Sequence, residues 1–205
     1  MATTATSATS ADTNGKVSDT GSMPNQNERF GAVTFKGVPQ TVLGRPLQVG
    51  DHFPSVTLVA PDLSLVDLKS FEGQTRLVSV VPSLDTGICD AQTRRFNDEA
   101  EKFGDQLKVI TISADIPFAQ RRWIKEAEVK RITVLSDHHD MAFGDATGTH
   151  IRELRLNQRS IFVVDKNNVI AYVEYVPEVS QHPDYDAALD AARKLIQSNS
   201  PHSSQ

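Results

Sequence analysis

Cysteine is nearly absent from this sequence: among 205 residues there is one, Cys89. A single thiol cannot close an internal disulfide, complete a zinc cluster or form a Cys-x-x-Cys redox pair. Any thiol chemistry at Cys89 therefore lacks a cysteine partner in its own chain. The sequence also lacks an early positive segment followed by an apolar one, the pattern of a secretory signal, so we expect a cytoplasmic protein.

Long apolar runs and an excess of positive charge are missing as well. The longest comparable apolar stretch, residues 77–81, is interrupted by Ser79, whereas a bilayer-spanning helix needs about 20 apolar residues. Acidic residues outnumber basic ones, 26 to 21, which gives a formal net charge of −5. Nucleic acids and anionic membranes attract clustered positive charge. The sequence therefore predicts a soluble protein with neither a nucleic-acid nor a membrane partner.

The length and the hydrophobic content suit one domain with a core of its own. Residues 1–30 are rich in Ser, Thr, Ala, Asn and Gly without periodicity and predict a disordered N-terminal tail. Residues 199–205 are predicted to form a short disordered C-terminal tail, which leaves residues 31–198 as the domain. The first arginine is Arg29, which argues against an Arg-rich organelle transit peptide; an engineered or lineage-specific extension fits as well.

Hydrophobic periodicity predicts a regular order of elements within the domain. A hairpin with a turn at Lys36-Gly37 opens it. Strands are predicted at residues 56–60, 66–68, 76–81, 107–113, 133–135, 160–165 and 169–176, and helices from about residue 86, over 117–129, over 138–143 and over 185–196. This order is typical of an α/β domain of thioredoxin-like fold, with three α/β/α layers, a mixed central sheet and an N-terminal β-hairpin.

Cys89 lies where a buried strand gives way to a helix. Asp85 or Thr86 is the expected N-cap, which places Cys89 in the first turn or two. There, unpaired backbone N–H groups and the positive end of the helix dipole favour a thiolate. Thr86 precedes Cys89 by about one turn, so its hydroxyl can lie beside the sulfur. Cleavage of a peroxide needs a thiolate and such a donor, and a fixed cation would complete the site.

Pro82 completes the spacing Pro-x3-Thr-x2-Cys, which resembles the signature of peroxiredoxins. The full segment, Pro82-Ser-Leu-Asp-Thr-Gly-Ile-Cys89, is similar to the version in bacterial thiol peroxidases. Further similar blocks occur in the same order at residues 33–37, 57–64, 112–120, 159–165 and 184–189, so the resemblance covers about residues 32–196. It implies that Cys89 is the peroxidatic cysteine, Thr86 the hydroxyl donor, Pro82 the shield that closes the pocket and Arg159 the cation. It also implies a homodimer and a reaction that needs no metal, flavin or haem cofactor.

One departure from this family matters for the mechanism. Most thiol peroxidases of this kind carry a resolving cysteine on the helix after the Ala-Asp-x-Pro-Phe-Ala segment, where this chain has Ile124. A sulfenic acid at Cys89 would then be reduced from outside, by thioredoxin or a low-molecular-weight thiol. We predict a one-cysteine peroxidase that reduces hydrogen peroxide and small alkyl hydroperoxides. The alternative is a redox sensor or binding module with little turnover.

Several nearby residues admit a second interpretation. Arg152 and Arg155 compete with Arg159 for the role of the cation. Asp85 is interpreted as a cap or turn residue, because a carboxylate beside the sulfur would oppose the thiolate. The pair His138-His139 could suggest a metal site, but adjacent helical side chains point about 100° apart, which favours a solvated helix start.

Overall fold

The computed structural model describes residues 27–198, which form two sheets and four α-helices. The strands are β1 (Glu28–Phe35), β2 (Val38–Leu43), β3 (Thr57–Val59), β4 (Leu65–Asp67), β5 (Arg76–Val80), β6 (Lys108–Ser113), β7 (Ile132–Ser136), β8 (His150–Ile151), β9 (Leu156–Asn157), β10 (Ser160–Val164) and β11 (Ile170–Tyr175). The helices are α1 (Gly87–Phe103), α2 (Pro117–Ala127), α3 (Ala142–Thr147) and α4 (Tyr185–Ser198). Within these residues, no helix has the length and apolar character needed to cross a membrane.

The smaller sheet has the strand order β1-β2-β8-β9 and begins with the predicted hairpin. Lys36 and Gly37 form its turn at positive φ of 50° and 77°, the twist that suits a two-residue hairpin loop. β1 begins at Glu28, so the predicted end of the disordered tail at residue 30 is wrong. Arg29 explains the difference, since its guanidinium donates to the carbonyl oxygens of Gly44 (3.0 Å) and Gly148 (2.6 Å). Residues 1–26 and 199–205 of the predicted tails lie outside the described residues.

The larger sheet has the order β11-β10-β5-β6-β7-β3-β4. β5, β6 and β7 are parallel, whereas β10 pairs antiparallel with both β5 and β11, and β3 pairs antiparallel with both β7 and β4. All five residues of β5 are buried, as expected of a central strand covered on both faces. The predicted mixed central sheet is confirmed.

Side chains alternate between the two faces of β5 and contact different helices. Leu77 joins a core cluster with Phe96 of α1 and Tyr185 of α4, whose rings lie 5.5 Å apart. Val78 and Val80 join another cluster, which contains Phe143 of α3. The helices therefore form layers on both sides of the sheet, and the predicted three-layer arrangement is confirmed.

One helix start differs from the prediction, and a buried carboxylate explains the difference. The helix predicted over residues 138–143 is observed as α3, which begins at Ala142 because the Asp137 carboxylate accepts the N–H groups of Phe143 (2.9 Å) and Gly144 (3.0 Å). The helix α2 begins at Pro117, as predicted, and its N-cap residue is Ile116; the carboxylate of the neighbouring Asp115 accepts its hydrogen bonds from other segments. The last turn of α2 ends at Ala127, two residues early.

Candidate active site

The link between β5 and α1 sets the position of Cys89. Pro82 is buried just beyond the strand, and Thr86 is the extended N-cap residue of α1, with φ −113° and ψ 144°. Cys89 is the third helical residue and has no solvent-exposed surface. The sulfur therefore lies in the first turn of the helix, where the sequence predicted it, near backbone N–H groups without intrahelical partners.

Arg159 is the cation that the fold brings to the sulfur. It immediately precedes β10 and is 1% exposed. Its Nη2 atom donates to Cys89 Sγ (3.3 Å) and to the Val179 carbonyl oxygen (2.9 Å), and its Nη1 atom donates to Gln92 Oε1 (2.7 Å). Three acceptors thus hold the guanidinium in one orientation, with one of its nitrogen atoms against the sulfur.

The two competing arginines lie elsewhere. Arg152 donates to a Glu28 carboxylate oxygen (2.8 Å) in the smaller sheet. Arg155 donates to the His138 carbonyl oxygen (2.7 Å) in the turn before α3. The predicted helix start at His138-His139 is wrong, because both residues lie in that turn. Of the three arginines, Arg159 is the one that contacts the sulfur.

Gln92 is a site residue that sequence reasoning missed. It is fully buried on α1, one turn after Cys89, and its Oε1 atom accepts from Arg159. Its Nε2 atom donates to the hydroxyl oxygen of Ser79 on β5 (2.8 Å). Gln92 recurs in the sequence at the spacing of the buried residues of the helix, Cys89, Phe96 and Ala100, and so resembles an ordinary core position. Its spacing of three residues from Cys89, which puts both on one helix face, was the available signal.

The Thr86 hydroxyl is held beside the start of α1. It donates to the Ser83 carbonyl oxygen (3.1 Å), and the Thr86 backbone N–H donates to the same oxygen (3.3 Å). The side chain therefore does not cap the helix, although Thr86 occupies the N-cap position. Thr86 is exposed and borders a pocket.

That pocket, about 380 Å³ in volume, lies over the start of α1. Most of its lining is apolar, and Thr86 and Arg159 are among its few polar members. The apolar lining comes from several segments: Phe35, Pro82, Ile88, Leu154, Leu156 and Val179. Pro82 is thus part of the wall, and the smaller sheet contributes the opposite side.

Glu178 ties two walls of the pocket together. Its carboxylate accepts hydrogen bonds from the hydroxyls of Ser180 (2.6 Å) and Thr34 (2.7 Å) and from the Lys36 backbone N–H (3.1 Å). The hydrogen bonds from Ser180 and Thr34 hold the pKa of Glu178 well below its ordinary value of 4.5. The carboxylate thereby fixes the loop that carries the Val179 carbonyl, an acceptor of Arg159.

A comparison with protein-family models finds a match that includes Cys89 and Arg159. The Redoxin family model matches residues 48–189, more than half of the chain. The chain belongs to the Redoxin family. Two curated relatives of this Redoxin-family protein are the thiol peroxidases of Halalkalibacterium halodurans and Bacillus subtilis. The first is 51% identical over 165 residues, which cover 80% of this chain and 99% of the relative; the second is 49% identical over 164 residues, which cover 80% and 98%.

Solved structures of the family share the fold. A peroxiredoxin-like protein from Aquifex aeolicus has a TM-score of 0.75 and 32% identity, over 80% of this chain and 96% of the other. The thiol peroxidase from Chromobacterium violaceum has a TM-score of 0.71 and 26% identity, over 81% and 97%. The thioredoxin-like architecture predicted from the sequence is therefore confirmed.

Ile124 is the residue of this Redoxin-family chain that stands where a resolving cysteine is expected. It lies on α2 and contacts a buried cluster that contains Cys89 and Trp123. A residue at this position is thus part of the same packed layer as the sulfur. In the sequence the only cysteine is Cys89, so no second thiol meets it there.

Polar contacts join the start of α1 to α2. Asp85 and Arg122 form an ion pair (2.9 Å), and the Trp123 indole N–H donates to an Asp90 carboxylate oxygen (2.9 Å). Arg94 donates to the carbonyl oxygen of the last residue of α2 (3.1 Å). Asp85 is therefore paired at the surface, as expected of a residue outside the chemistry, and the two helices are held side by side.

Proposed function

We propose that this chain is a thiol peroxidase in which Cys89 reacts with the peroxide. The Cys89 thiolate attacks one peroxide oxygen, the S–O bond forms as the O–O bond breaks, and the other oxygen leaves as water or an alcohol after it takes up a proton. The product on the protein is a sulfenic acid. The observation that carries this proposal is the 3.3 Å contact from Arg159 to the buried sulfur, beside a pocket.

Three neighbours have assigned roles in this proposal. Arg159 stabilises the thiolate and the charge that develops on the oxygens in the transition state. Thr86, at the edge of the pocket, keeps its hydroxyl proton on the Ser83 carbonyl oxygen and presents its hydroxyl oxygen to the O–H group of the bound peroxide. Pro82 closes the wall and keeps water away from the sulfur, which strengthens the electrostatic contacts inside.

The pocket lining supports organic hydroperoxides as substrates in addition to hydrogen peroxide. A peroxide with a small alkyl group can bury apolar surface against Phe35, Leu154 and Val179, and each buried methylene contributes about 0.8 kcal/mol. Hydrogen peroxide gains nothing from this contact. We therefore expect a lower KM for alkyl hydroperoxides than for hydrogen peroxide.

Turnover requires an external thiol in this proposal, because the chain has no second cysteine. The sulfenic acid condenses with that thiol and loses water, and a further thiol then releases Cys89 by disulfide exchange. Thioredoxin or a low-molecular-weight thiol supplies these electrons, and such reductants are maintained in the cytoplasm, where we place the protein. We also propose a homodimer, on the resemblance of the sequence to thiol peroxidases.

The relatives favour an enzyme over the redox sensor or binding module. The test is direct: reduced protein is mixed with one equivalent of peroxide in the presence of a dimedone-type reagent, and the adduct is located by mass spectrometry. We expect one adduct, at Cys89, and none in Cys89→Ser. A coupled assay with thioredoxin or glutathione as the electron donor then measures turnover. Oxidation of Cys89 no faster than that of free cysteine would contradict the proposal.

A further inference from the structure

We propose that Asp115 is a positioning residue that holds the Pro82–Thr86 segment in the geometry needed for reaction with peroxide. This inference rests on the function proposed above. Asp115 lies between β6 and α2, outside the Pro-x3-Thr-x2-Cys segment, and does not contact the sulfur in any hydrogen bond of the described residues. Asp115 affects the reaction through its contacts with the Pro82–Thr86 loop.

The Asp115 carboxylate accepts three hydrogen bonds, two of them from that loop. Oδ1 accepts from the Ser83 hydroxyl (2.7 Å), and Oδ2 accepts from the Leu84 backbone N–H (2.7 Å) and from the Ser113 hydroxyl (2.8 Å). These are short contacts to a charged acceptor, the stronger class of protein hydrogen bond. The carboxylate therefore fixes both the main chain and a side chain of the loop.

The loop residues that Asp115 holds are coupled to the site on both sides. The Ser83 carbonyl oxygen accepts the hydroxyl and the backbone N–H of Thr86, so a shift of Ser83 would move Thr86. Leu84 packs in the buried cluster that contains Cys89. Ser83 and Thr86 both line the pocket. Asp115 thus sets the relation between the hydroxyl, the sulfur and the pocket wall.

The carboxylate is itself supported by buried structure. The Ser136 hydroxyl at the end of β7 donates to the Asp115 carbonyl oxygen. The Ser113 hydroxyl, at the end of β6, also accepts from Nε2 of Gln120, which is fully buried (3.0 Å). Asp115 is therefore anchored at the ends of two central strands, and a rigid support of this kind is what accurate placement of a reacting group requires.

If Asp115 only stabilised a turn, its replacement would not slow oxidation of Cys89 selectively, as a positioning role requires. Asp67, the last residue of β4, is a matched control, because its carboxylate also accepts a serine hydroxyl (Ser55, 2.6 Å) and a backbone N–H (Lys69, 2.8 Å). Two rates are measured for the full chain: oxidation of Cys89 by hydrogen peroxide, and its alkylation by iodoacetamide. Alkylation needs the thiolate but not the alignment of a peroxide with Thr86.

We expect Asp115→Ala to slow oxidation by about tenfold or more, the effect of one lost hydrogen bond to a charged group, and to slow alkylation by less than about threefold. Asp115→Asn should recover most of the oxidation rate, because its amide oxygen still accepts the Leu84 N–H. Asp67→Ala should leave both rates unchanged.

Three results would overturn the proposal: oxidation of Asp115→Ala within about twofold of wild type, an equal loss of oxidation and alkylation, or the same loss in Asp67→Ala. Should Asp115→Ala fail to fold, Ser83→Ala removes one of the same hydrogen bonds and should slow oxidation by about threefold or more with alkylation preserved. Unchanged oxidation in a folded Ser83→Ala would also refute it. Failure of the peroxidase assignment is distinguishable, since wild-type Cys89 would then react like free cysteine.

Discussion

The replacement Arg159→Lys tests whether the shape of the cation matters at the sulfur, because it keeps the charge. The guanidinium of Arg159 reaches Gln92, Val179 and Cys89 at once, through two nitrogen atoms. An ammonium group is a compact donor on a flexible stem and cannot occupy the planar fork geometry. Because Arg159 is itself 1% exposed, little water reaches its nitrogen atoms to replace the contacts that are lost.

The magnitude follows from the contacts. A hydrogen bond to a charged group contributes about 1.5–3 kcal/mol. If the contact to the sulfur is lost from the transition state, the rate of peroxide reduction falls by about 10- to 150-fold, since each 1.36 kcal/mol is tenfold. The Gln92 carbonyl oxygen, left buried without a donor, would also lower the free energy of unfolding by about 1–3 kcal/mol.

The assay can use the fluorescence of the chain itself. Trp123 is the only tryptophan in the sequence and packs in the same buried cluster as Cys89, so oxidation of the sulfur should change its emission during rapid mixing with peroxide. Arg155→Lys is the control, because Arg155 contacts backbone carbonyls of the turn before α3. A rate for Arg159→Lys within about twofold of wild type, or an equal loss in Arg155→Lys, would refute the reasoning.

Three further predictions follow from the site and its surroundings. Thr86→Val, which keeps the shape of the side chain, should slow oxidation of Cys89 by about tenfold or more in rapid mixing; an unchanged rate would remove Thr86 from the mechanism. Ile124→Cys should let peroxide form an internal disulfide with Cys89, seen by mass spectrometry as loss of the dimedone adduct and of two hydrogens; persistent adduct formation would contradict this. The low pKa of Glu178 makes its contribution to stability complete above the ordinary value of 4.5 and lost as the pH falls below it. Glu178→Gln should therefore weaken the pH dependence of the free energy of unfolding below pH 4.5, measured by urea titration, and an identical pH profile would argue against this role.

Patterns local in sequence predicted most of the fold. The β-branched run of β5 and the one-sided apolar stripe of α4 gave the right element types, because each pattern is set by one face of burial. The strands β8 and β9 have two residues each, too few to show any period. The start of α3 depends on a contact from Asp137 outside the helix, and its prediction was therefore displaced.

The residues of the candidate site also fall into those that a local sequence pattern predicts and those that only the folded chain brings together. Cys89, Thr86 and Pro82 lie within eight residues of one another, and their spacing is readable in the sequence. Gln92 and Arg159 are 67 positions apart, so their contact exists only in the folded chain. The helical spacing of a polar residue such as Gln92 indicates that it is buried. It does not indicate which group the side chain binds, so the residue resembles an ordinary core position until its partner is known.

The distribution of the site along the chain has a consequence for its biosynthesis. The thiol is made early, at residue 89, but its guanidinium follows 70 residues later, and the carbonyl that orients the guanidinium comes 20 residues after that. A chain still emerging from the ribosome carries the sulfur without the groups that activate it in the proposed mechanism. In the proposed mechanism, rapid reaction with peroxide therefore begins only when the domain is complete, and an unfinished or truncated chain carries an ordinary thiol in place of an activated one.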